Sequence, residues 1–122
     1  PIAILLSEKV MSMERAWEIA VKDGNLSKFE VKILDDLQYQ LGIDDLANSK
    51  IAAKMTIQRV QKKKKITETQ KGLILSGARL VKNHAFVEEL SDKIPVGPLT
   101  TESQFELGEL YNSLLKAEQS DE

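Results

Sequence analysis

The sequence predicts an all-α protein, a compact bundle of five to seven helices built from packed helical hairpins. Apolar residues recur at spacings of three and four along most of the chain, the period of a helix with one buried face. Three stretches have the Ser/Thr-x-x-Glu/Gln pattern of a capping box, and no segment alternates apolar and polar residues as a half-buried strand does. Because 122 residues support one modest core, we expect a single helical domain over residues 1–122.

Charge and composition narrow the function classes. With 17 Lys and Arg against 19 Asp and Glu, the net charge of -2 gives no overall attraction to nucleic acid or membrane, so local patches must carry any such function. The absence of cysteine excludes disulfides, thiolate metal sites and cysteine nucleophiles. The apolar run over residues 2–6 is shorter than a membrane span and lacks a basic leader. We therefore expect a soluble, cytoplasmic protein.

The first helix and the corner after it are the clearest local prediction. Its apolar stripe comprises Leu6, Val10, Met13, Trp17 and Ala20, which predicts a helix over residues 7–22 with Trp17 in the core. Residues 2–6 either extend this helix or form an arm, and the pattern leaves both open. Gly24 can adopt the left-handed conformation that ends a helix. Ser27 and Glu30 then form the capping box that starts the second helix.

The second and third helices are predicted from apolar spacing and from their ends. The second runs over residues 27–40 and ends at Gly42, and its inward residues are Val31, Ile33, Leu34, Leu37 and Leu41. The third begins at the Asp44 and Asp45 cap and ends in the lysines, with a restart at Asn48 or Ser49 left open. Its apolar face is weaker than those of the first two helices.

The second half of the chain is predicted to add three more helices. Thr67 and Gln70 form a second capping box. The helix that follows contains Gly72 and Gly77, and close approach of a neighbouring helix at Gly77-Ala78 would compensate for their cost. In both of the first two capping boxes, an apolar pair follows the capping residue at the same distance: Ile33-Leu34 after Ser27 and Leu73-Ile74 after Thr67. This repeat suggests two similar helical hairpins. Asn83 caps a fifth helix, residues 94–100 form a rigid Pro/Gly connector, and Thr101 with Gln104 forms the third box. The final helix ends in an acidic tail that we expect to fray over residues 116–122.

The first corner also matches half of a calcium-binding loop. Residues 23–30 follow the second half of an EF-hand, with Glu30 as the last ligand. The earlier ligand positions fall on Ile19 and Val21, which carry no side-chain oxygen. We therefore predict no metal site, and Asp23 and Glu30 are the nearest candidates.

The same region resembles a known family. The segment over residues 17–30, followed by Ile33-Leu34 and by Leu41-Gly42-Ile43, is similar to the TerB-like domain of tellurite-resistance proteins, which also occurs in a membrane-anchored J-domain co-chaperone. The resemblance covers about residues 17–43 and implies an all-α fold, a stress-response or scaffolding role, and divalent-metal binding at acidic turns. Only Asp23 and Glu30 match the acidic positions. The family's second Asp-Gly turn is replaced here by residues 64–68, Lys-Lys-Ile-Thr-Glu.

Side-chain chemistry points away from catalysis. His84 is the only histidine, so no histidine cluster or His-based triad can form, and no phosphate loop or nucleophile elbow occurs. We predict a protein that is not an enzyme and has no cofactor.

Two functions remain. The preferred hypothesis is a non-enzymatic protein-interaction or scaffold module that presents an apolar helix face or residues 2–6 to another protein. The alternative is a nucleic-acid-binding accessory protein, although aromatic residues do not interleave its basic stretch. Its phosphate contacts would come from Lys54, Arg59, Lys62, Lys63, Lys64, Lys65, Lys71 and Arg79.

Overall fold

The chain folds as a helical bundle, which confirms the predicted all-α class. The structure is a computed structural model that describes the backbone of residues 2–120 and the side chains of residues 7–118. Helices account for 79% of the chain. Over the described backbone there are six, α1 Ile2–Ala20, α2 Lys28–Leu41, α3 Asp45–Lys63, α4 Glu68–Val81, α5 His84–Lys93 and α6 Thr101–Ser120. None of these helices combines the length and hydropathy needed to cross a bilayer.

Helix α3 is the central element, contrary to the prediction of a weak apolar face. All seven consecutive residues over 51–57 are buried, so every side of the helix is covered at its middle. The sequence understates this burial because Ala52, Ala53 and Thr56 are small, and because Lys54 is buried with partners. The helix has no restart at Asn48 or Ser49; it runs unbroken from its cap.

Two hydrophobic clusters meet at α3. The first joins α1, α2 and α3 through Met13, Trp17, Ala20, Val21, Leu34, Ile51, Ala52 and Met55. The second joins α3, α4, α5 and α6, and includes Ala53, Ile57, Val60, Ile74, Val87, Leu90, Leu107 and Leu110. The Trp17 indole donates a hydrogen bond from Nε1 to Asn48 Oδ1 at 2.8 Å, which ties α1 to α3. The prediction that Trp17 lies in the core is therefore confirmed.

Helices α3 and α4 approach closely at Gly77, as predicted. A Cβ atom at Gly77 would overlap the Cβ atom of Ala53 and would lie 3.3 Å from the carbonyl oxygen of Ser49. Only a residue without a side chain fits this contact. The close approach lets α4 cover one side of α3.

The turn between α1 and α2, the first corner, is hydrogen-bonded to the turn between α3 and α4, the second corner. Ser27 with Glu30 and Thr67 with Gln70 both form the reciprocal capping boxes that the sequence predicts. The Thr67 hydroxyl also donates to the carbonyl oxygen of Gly24 at 2.5 Å, and Gln70 Nε2 donates to that of Val21 at 3.0 Å. The second corner thus supplies a donor to the carbonyl of Gly24 and a second donor to that of Val21, which also accepts from the Gly24 amide at 3.2 Å.

A short antiparallel ladder follows α3. Strand β1 Lys65–Ile66 pairs with β2 Gly97–Pro98, and Lys65 lies opposite Pro98. The 94–100 connector is non-helical, and it also supplies this strand.

The beginning of α6 and both chain ends differ in part from the sequence-based expectation. The α6 cap is Thr100, whose Oγ1 accepts from the Ser103 amide at 3.0 Å; Thr101 is already the first helical residue. Residues 2–6 lie within α1, and their side chains are outside the described residues. Helix α6 continues to Ser120, past the expected fraying point at residue 116. Residues 121 and 122 lie outside the described residues.

Candidate functional site

An apolar groove lies between α1 and α2. It has a volume of about 230 Å³, and its lining comprises Ala16, Ile19 and Ala20 of α1 with Glu30, Ile33 and Leu34 of α2. Ile19 and Ile33 are 65% and 48% exposed at its edges, and Phe29, one turn before Ile33, is 72% exposed. The prediction that Val31 and Ile33 point inward is wrong, because α2 packs on α1 along a narrow stripe centred on the buried Leu34.

A basic cleft adjoins the groove on the opposite side of Ile19. This cleft between α1 and α3 has a volume of about 370 Å³ and is also lined by Lys22, Arg59 and Lys62. Among the described residues that line it, Glu18 alone is acidic. The Arg59 side chain is held by a hydrogen bond of 3.1 Å from Nε to the carbonyl oxygen of Lys22. The groove and the cleft therefore form one surface, apolar on one side and positively charged on the other.

A second basic cavity, the corner pocket, lies where the two corners meet. It has a volume of about 480 Å³ and shares Lys22 and Arg59 with the basic cleft. Lys63 of α3 and Lys65 of β1 add two further cations to its lining. Lys62 lines the cleft instead, and Lys64 lines neither cavity.

Lys54 is buried and lines neither the basic cleft nor the corner pocket, contrary to the nucleic-acid hypothesis. Its ammonium group is buried and forms ion pairs with Glu14 of α1 and, at 3.2 Å, with Glu118 of α6. Burial is the largest single influence on the pKa of Lys54 and lowers it, but the hydrogen bonds and charges of Glu14 and Glu118 together raise the pKa above 10.5. Lys54 therefore fastens α3 to the first and last helices.

Lys71 and Arg79 are also separate from the basic cavities. Lys71 Nζ donates to the carbonyl oxygen of Ser91 at 2.8 Å and links α4 to α5. Arg79 lies in the last turn of α4, about 18 Å along the helix from its cap at Thr67, at 1.5 Å per residue. The eight predicted phosphate-binding residues are thus not gathered in one place.

The nearest metal candidates serve the first corner. Asp23 Oδ1 accepts from the Asn25 amide at 3.1 Å, and Glu30 Oε1 accepts from the Ser27 amide at 2.9 Å. Val21, at a ligand position of the calcium-loop pattern, is buried in the first cluster. Across residues 7–118, no three His, Asp or Glu side chains come together as a metal site requires.

His84 is an exposed residue at the start of α5. Its Nε2 atom lies 3.1 Å from the carboxylate of Glu88, one turn later on the same helix. Both side chains are open to solvent, so this contact is a local surface pair.

Sequence reasoning missed the groove and the contribution of Lys22. One signal was available: Ile19 is a large apolar residue that lies off the stripe formed by Met13, Trp17 and Ala20. The role of Lys22 depends on the packing of α1 against α3, which brings it to Arg59 from 37 positions away in the chain.

Comparisons with known proteins give no relative for this chain: no protein-family model, no curated protein and no solved structure matches it. The surface geometry is therefore the basis for the functional argument.

Proposed function

We propose that the protein is a non-enzymatic protein-interaction module and that the surface around Ile19 binds an acidic amphipathic helix of a partner protein. The observation that carries this proposal is the adjacency of the apolar groove and the basic cleft on either side of Ile19. The partner's apolar side chains would enter the groove, and its carboxylates would face the cleft. This is the helix-in-groove mode of recognition.

The apolar half of the surface supports helix docking. Ala16 and Ala20 leave room between α1 and α2, and Ile19 and Ile33 line the groove. Phe29 precedes Ile33 by one turn of α2, and all three of these larger side chains are exposed. Single exposed apolar residues are common on protein surfaces. Several around one groove are typical of a binding surface, because a partner that covers them removes contiguous apolar area from water.

The basic half of the surface defines the partner's charge. Lys22, which follows α1, and Arg59 and Lys62 of α3 line one cleft, and Glu18 is the one acidic residue among its described lining residues. Such a cleft favours acidic side chains and disfavours basic ones, since electrostatic complementarity selects partners and their orientation. The same residues argue against a purely apolar occupant. A cytoplasmic partner is part of this proposal, and the scaffolding role agrees with the resemblance of residues 17–43 to TerB-like domains.

The proposal can be tested by selection of helical peptides from a display library on the immobilised full chain. We expect the enriched peptides to be amphipathic helices with acidic residues beside the apolar stripe. Their affinity, measured by fluorescence anisotropy, should fall at least tenfold in the double variant Ile19→Gln/Ile33→Gln.

A matched control is available in Val96 and Phe105. These side chains are 48% and 63% exposed, close to the values for Ile33 and Ile19, and they lie outside the groove. Peptide binding should be unchanged in Val96→Gln/Phe105→Gln. Equal loss in both double variants, or enrichment of basic or non-helical peptides, would contradict the proposal. A dimer of the free protein that dissociates in Ile19→Gln/Ile33→Gln would assign the groove to a second copy of the chain instead.

A further inference from the structure

We propose that the corner pocket binds the phosphate groups of a small molecule that carries two or more adjacent phosphates. This inference goes beyond the proposed function, because it concerns a separate cavity and a different class of ligand. It depends on four cationic side chains, the shape of the cavity and the hydrogen bonds between its walls.

Four positive charges converge on this cavity from three segments of the chain. Lys22 follows α1, Arg59 and Lys63 lie in the last turns of α3, and Lys65 lies in β1. Within the described part of the chain, none of these four side chains forms an ion pair with a carboxylate. The pocket thus concentrates positive charge in a protein whose net charge is -2.

Of the described residues that line the pocket, Asp23 is the one acidic residue, and it already has a hydrogen-bonding role in the corner. Its Oδ1 atom accepts from the Asn25 amide in the Asp23–Gly24–Asn25 turn. One carboxylate leaves most of the positive charge in the pocket uncompensated. An anion with several negative charges would relieve the mutual repulsion of the cations and attract all four.

Two of the lysines that line the pocket, Lys63 and Lys65, flank a residue with an unusual backbone conformation. Lys64 has a positive φ of 58°, which is uncommon for a residue with a side chain. This left-handed residue ends α3, and Lys63 before it and Lys65 after it both line the cavity. Backbone strain of this kind costs about 1 kcal/mol or more and is concentrated at functional sites.

Hydrogen bonds connect the segments that form the walls of the pocket. Thr67 and Gln70 fasten the second corner to the carbonyls of Gly24 and Val21, and the Leu99 amide donates to the carbonyl oxygen of Lys64 at 2.9 Å. The capping box occupies the amides of Thr67 and Gln70, and Glu68 and Thr69 do not line the pocket, so the cationic side chains supply the attraction. A preformed site loses less entropy when a ligand binds.

The size of the cavity indicates a small ligand rather than a nucleic-acid duplex. A concave pocket of about 480 Å³ lies within the ordinary range for small-molecule sites. A duplex would instead need cations spread along its backbone, and Lys54, Lys71 and Arg79 line neither basic cavity. Adjacent phosphates concentrate enough charge to engage several of the four cations at once.

The test is isothermal titration calorimetry with inorganic pyrophosphate at physiological ionic strength. We expect one site per chain with sub-millimolar affinity. The double variant Lys63→Gln/Lys65→Gln should bind at least tenfold more weakly. This variant leaves the basic cleft residues Lys22, Arg59 and Lys62 in place, so its result is independent of the peptide-binding test.

The control variant is Lys9→Gln/Arg79→Gln, which also removes two positive charges, but from exposed positions outside the pocket. It should retain the affinity of the original protein, and circular dichroism should show both variants folded. Failure of pyrophosphate to bind, or equal weakening in the two variants, would overturn the proposal. Tighter, steeply salt-dependent binding of single-stranded DNA that is lost in Lys63→Gln/Lys65→Gln would replace it with a nucleic-acid site.

Discussion

The two helical corners begin from the same local pattern and end in different environments. Each has a left-handed residue, Gly24 in the first and Lys64 in the second, followed by a reciprocal capping box. After the first corner, α2 packs on α1 along one stripe and leaves Ile33 exposed. After the second, α4 buries Ile74, and α3, α5 and α6 all pack against it.

The difference shows that capping signals set where a helix begins but not how much of it is covered. The first corner leaves one side of α2 open, and the proposed partner-binding groove lies there. The second corner is closed by tertiary contacts, including those of Thr67 and Gln70 with the end of α1. The two corners are therefore hydrogen-bonded to each other, but the helix after the first is partly exposed and the helix after the second is covered by other helices.

The largest expected effect on stability is at the contact between α3 and α4. Gly77→Ala should lower the free energy of unfolding by about 3 kcal/mol, because the new methyl group overlaps Ala53 in a packed helix contact. Gly72→Ala in the same helix is the control, since nothing lies within 4 Å of the added methyl group. It should stabilise the protein by about 0.5–1 kcal/mol. Urea denaturation measures both, and similar values for the two variants would show that α3 and α4 are not in close contact.

The contact between the corners is tested by Gly24→Ala. We expect a loss of about 2 kcal/mol, because φ is 89° and the new Cβ atom would lie 2.6 Å from Thr67 Cγ2. Gly42→Ala has a similar φ of 68° and no neighbour within 4 Å, so it should cost only about 1 kcal/mol.

The double variant Gly24→Ala/Thr67→Ser separates the backbone strain at Gly24 from the steric overlap with Thr67. Thr67→Ser keeps the capping hydroxyl and removes Cγ2, so it should reduce the effect of Gly24→Ala to that of Gly42→Ala. If Thr67→Ser gives no such recovery in thermal or urea denaturation, the two corners are not in direct contact.

Helix α3, which joins the two halves, is tested at Lys54. Lys54→Met should destabilise the protein by about 1–2 kcal/mol at neutral pH, less than a fully buried pair would, because Glu118 is partly exposed. The raised pKa of Lys54 means that its charge stabilises the fold fully at pH values below 10.5 and that this contribution is lost as pH rises through the folded-state pKa. The difference from the original protein should therefore be constant from neutral pH to about pH 9 and shrink above 10.5. A difference that is already lost at about pH 8 would contradict this role for Lys54.

The smallest effect should come from the left-handed residue of the second corner. Lys64→Gly should stabilise the protein by about 0.5–1 kcal/mol, because glycine adopts a φ of 58° without strain. The change would make the second corner resemble the first, where Gly24 is already present. Loss of stability in urea denaturation would show that the lysine side chain itself holds the turn.

Helix ends were predictable because their hydrogen bonds are local. Ser27, Thr67 and Asn83 each cap a helix through an amide three residues later, so the necessary residues are adjacent in the sequence. The third box was wrong by one residue because Thr100, just before Thr101, has the same hydroxyl group. Local pattern alone does not choose between two neighbouring threonines.

Burial was less predictable because it depends on distant partners. Lys54 is buried only because Glu14 and Glu118, 40 and 64 positions away, reach it. Ile33 is exposed because α2 uses one narrow stripe, a fact about packing that the spacing of apolar residues does not contain. The groove and the basic cavities depend on the same long-range packing, and only the exposed position of Ile19 had a local signal.

The most direct test of the contrast between the exposed face of α2 and the covered α4 is amide hydrogen exchange. It is measured on the full chain, free and bound to an acidic helical peptide from the selection. We predict that the peptide slows exchange in the last turns of α1, the first half of α2 and the α3 segment around Arg59, and leaves exchange in α4 unchanged. Slowed exchange confined to α4, α5 and α6, or spread evenly over all helices, would contradict a docking surface at the first corner.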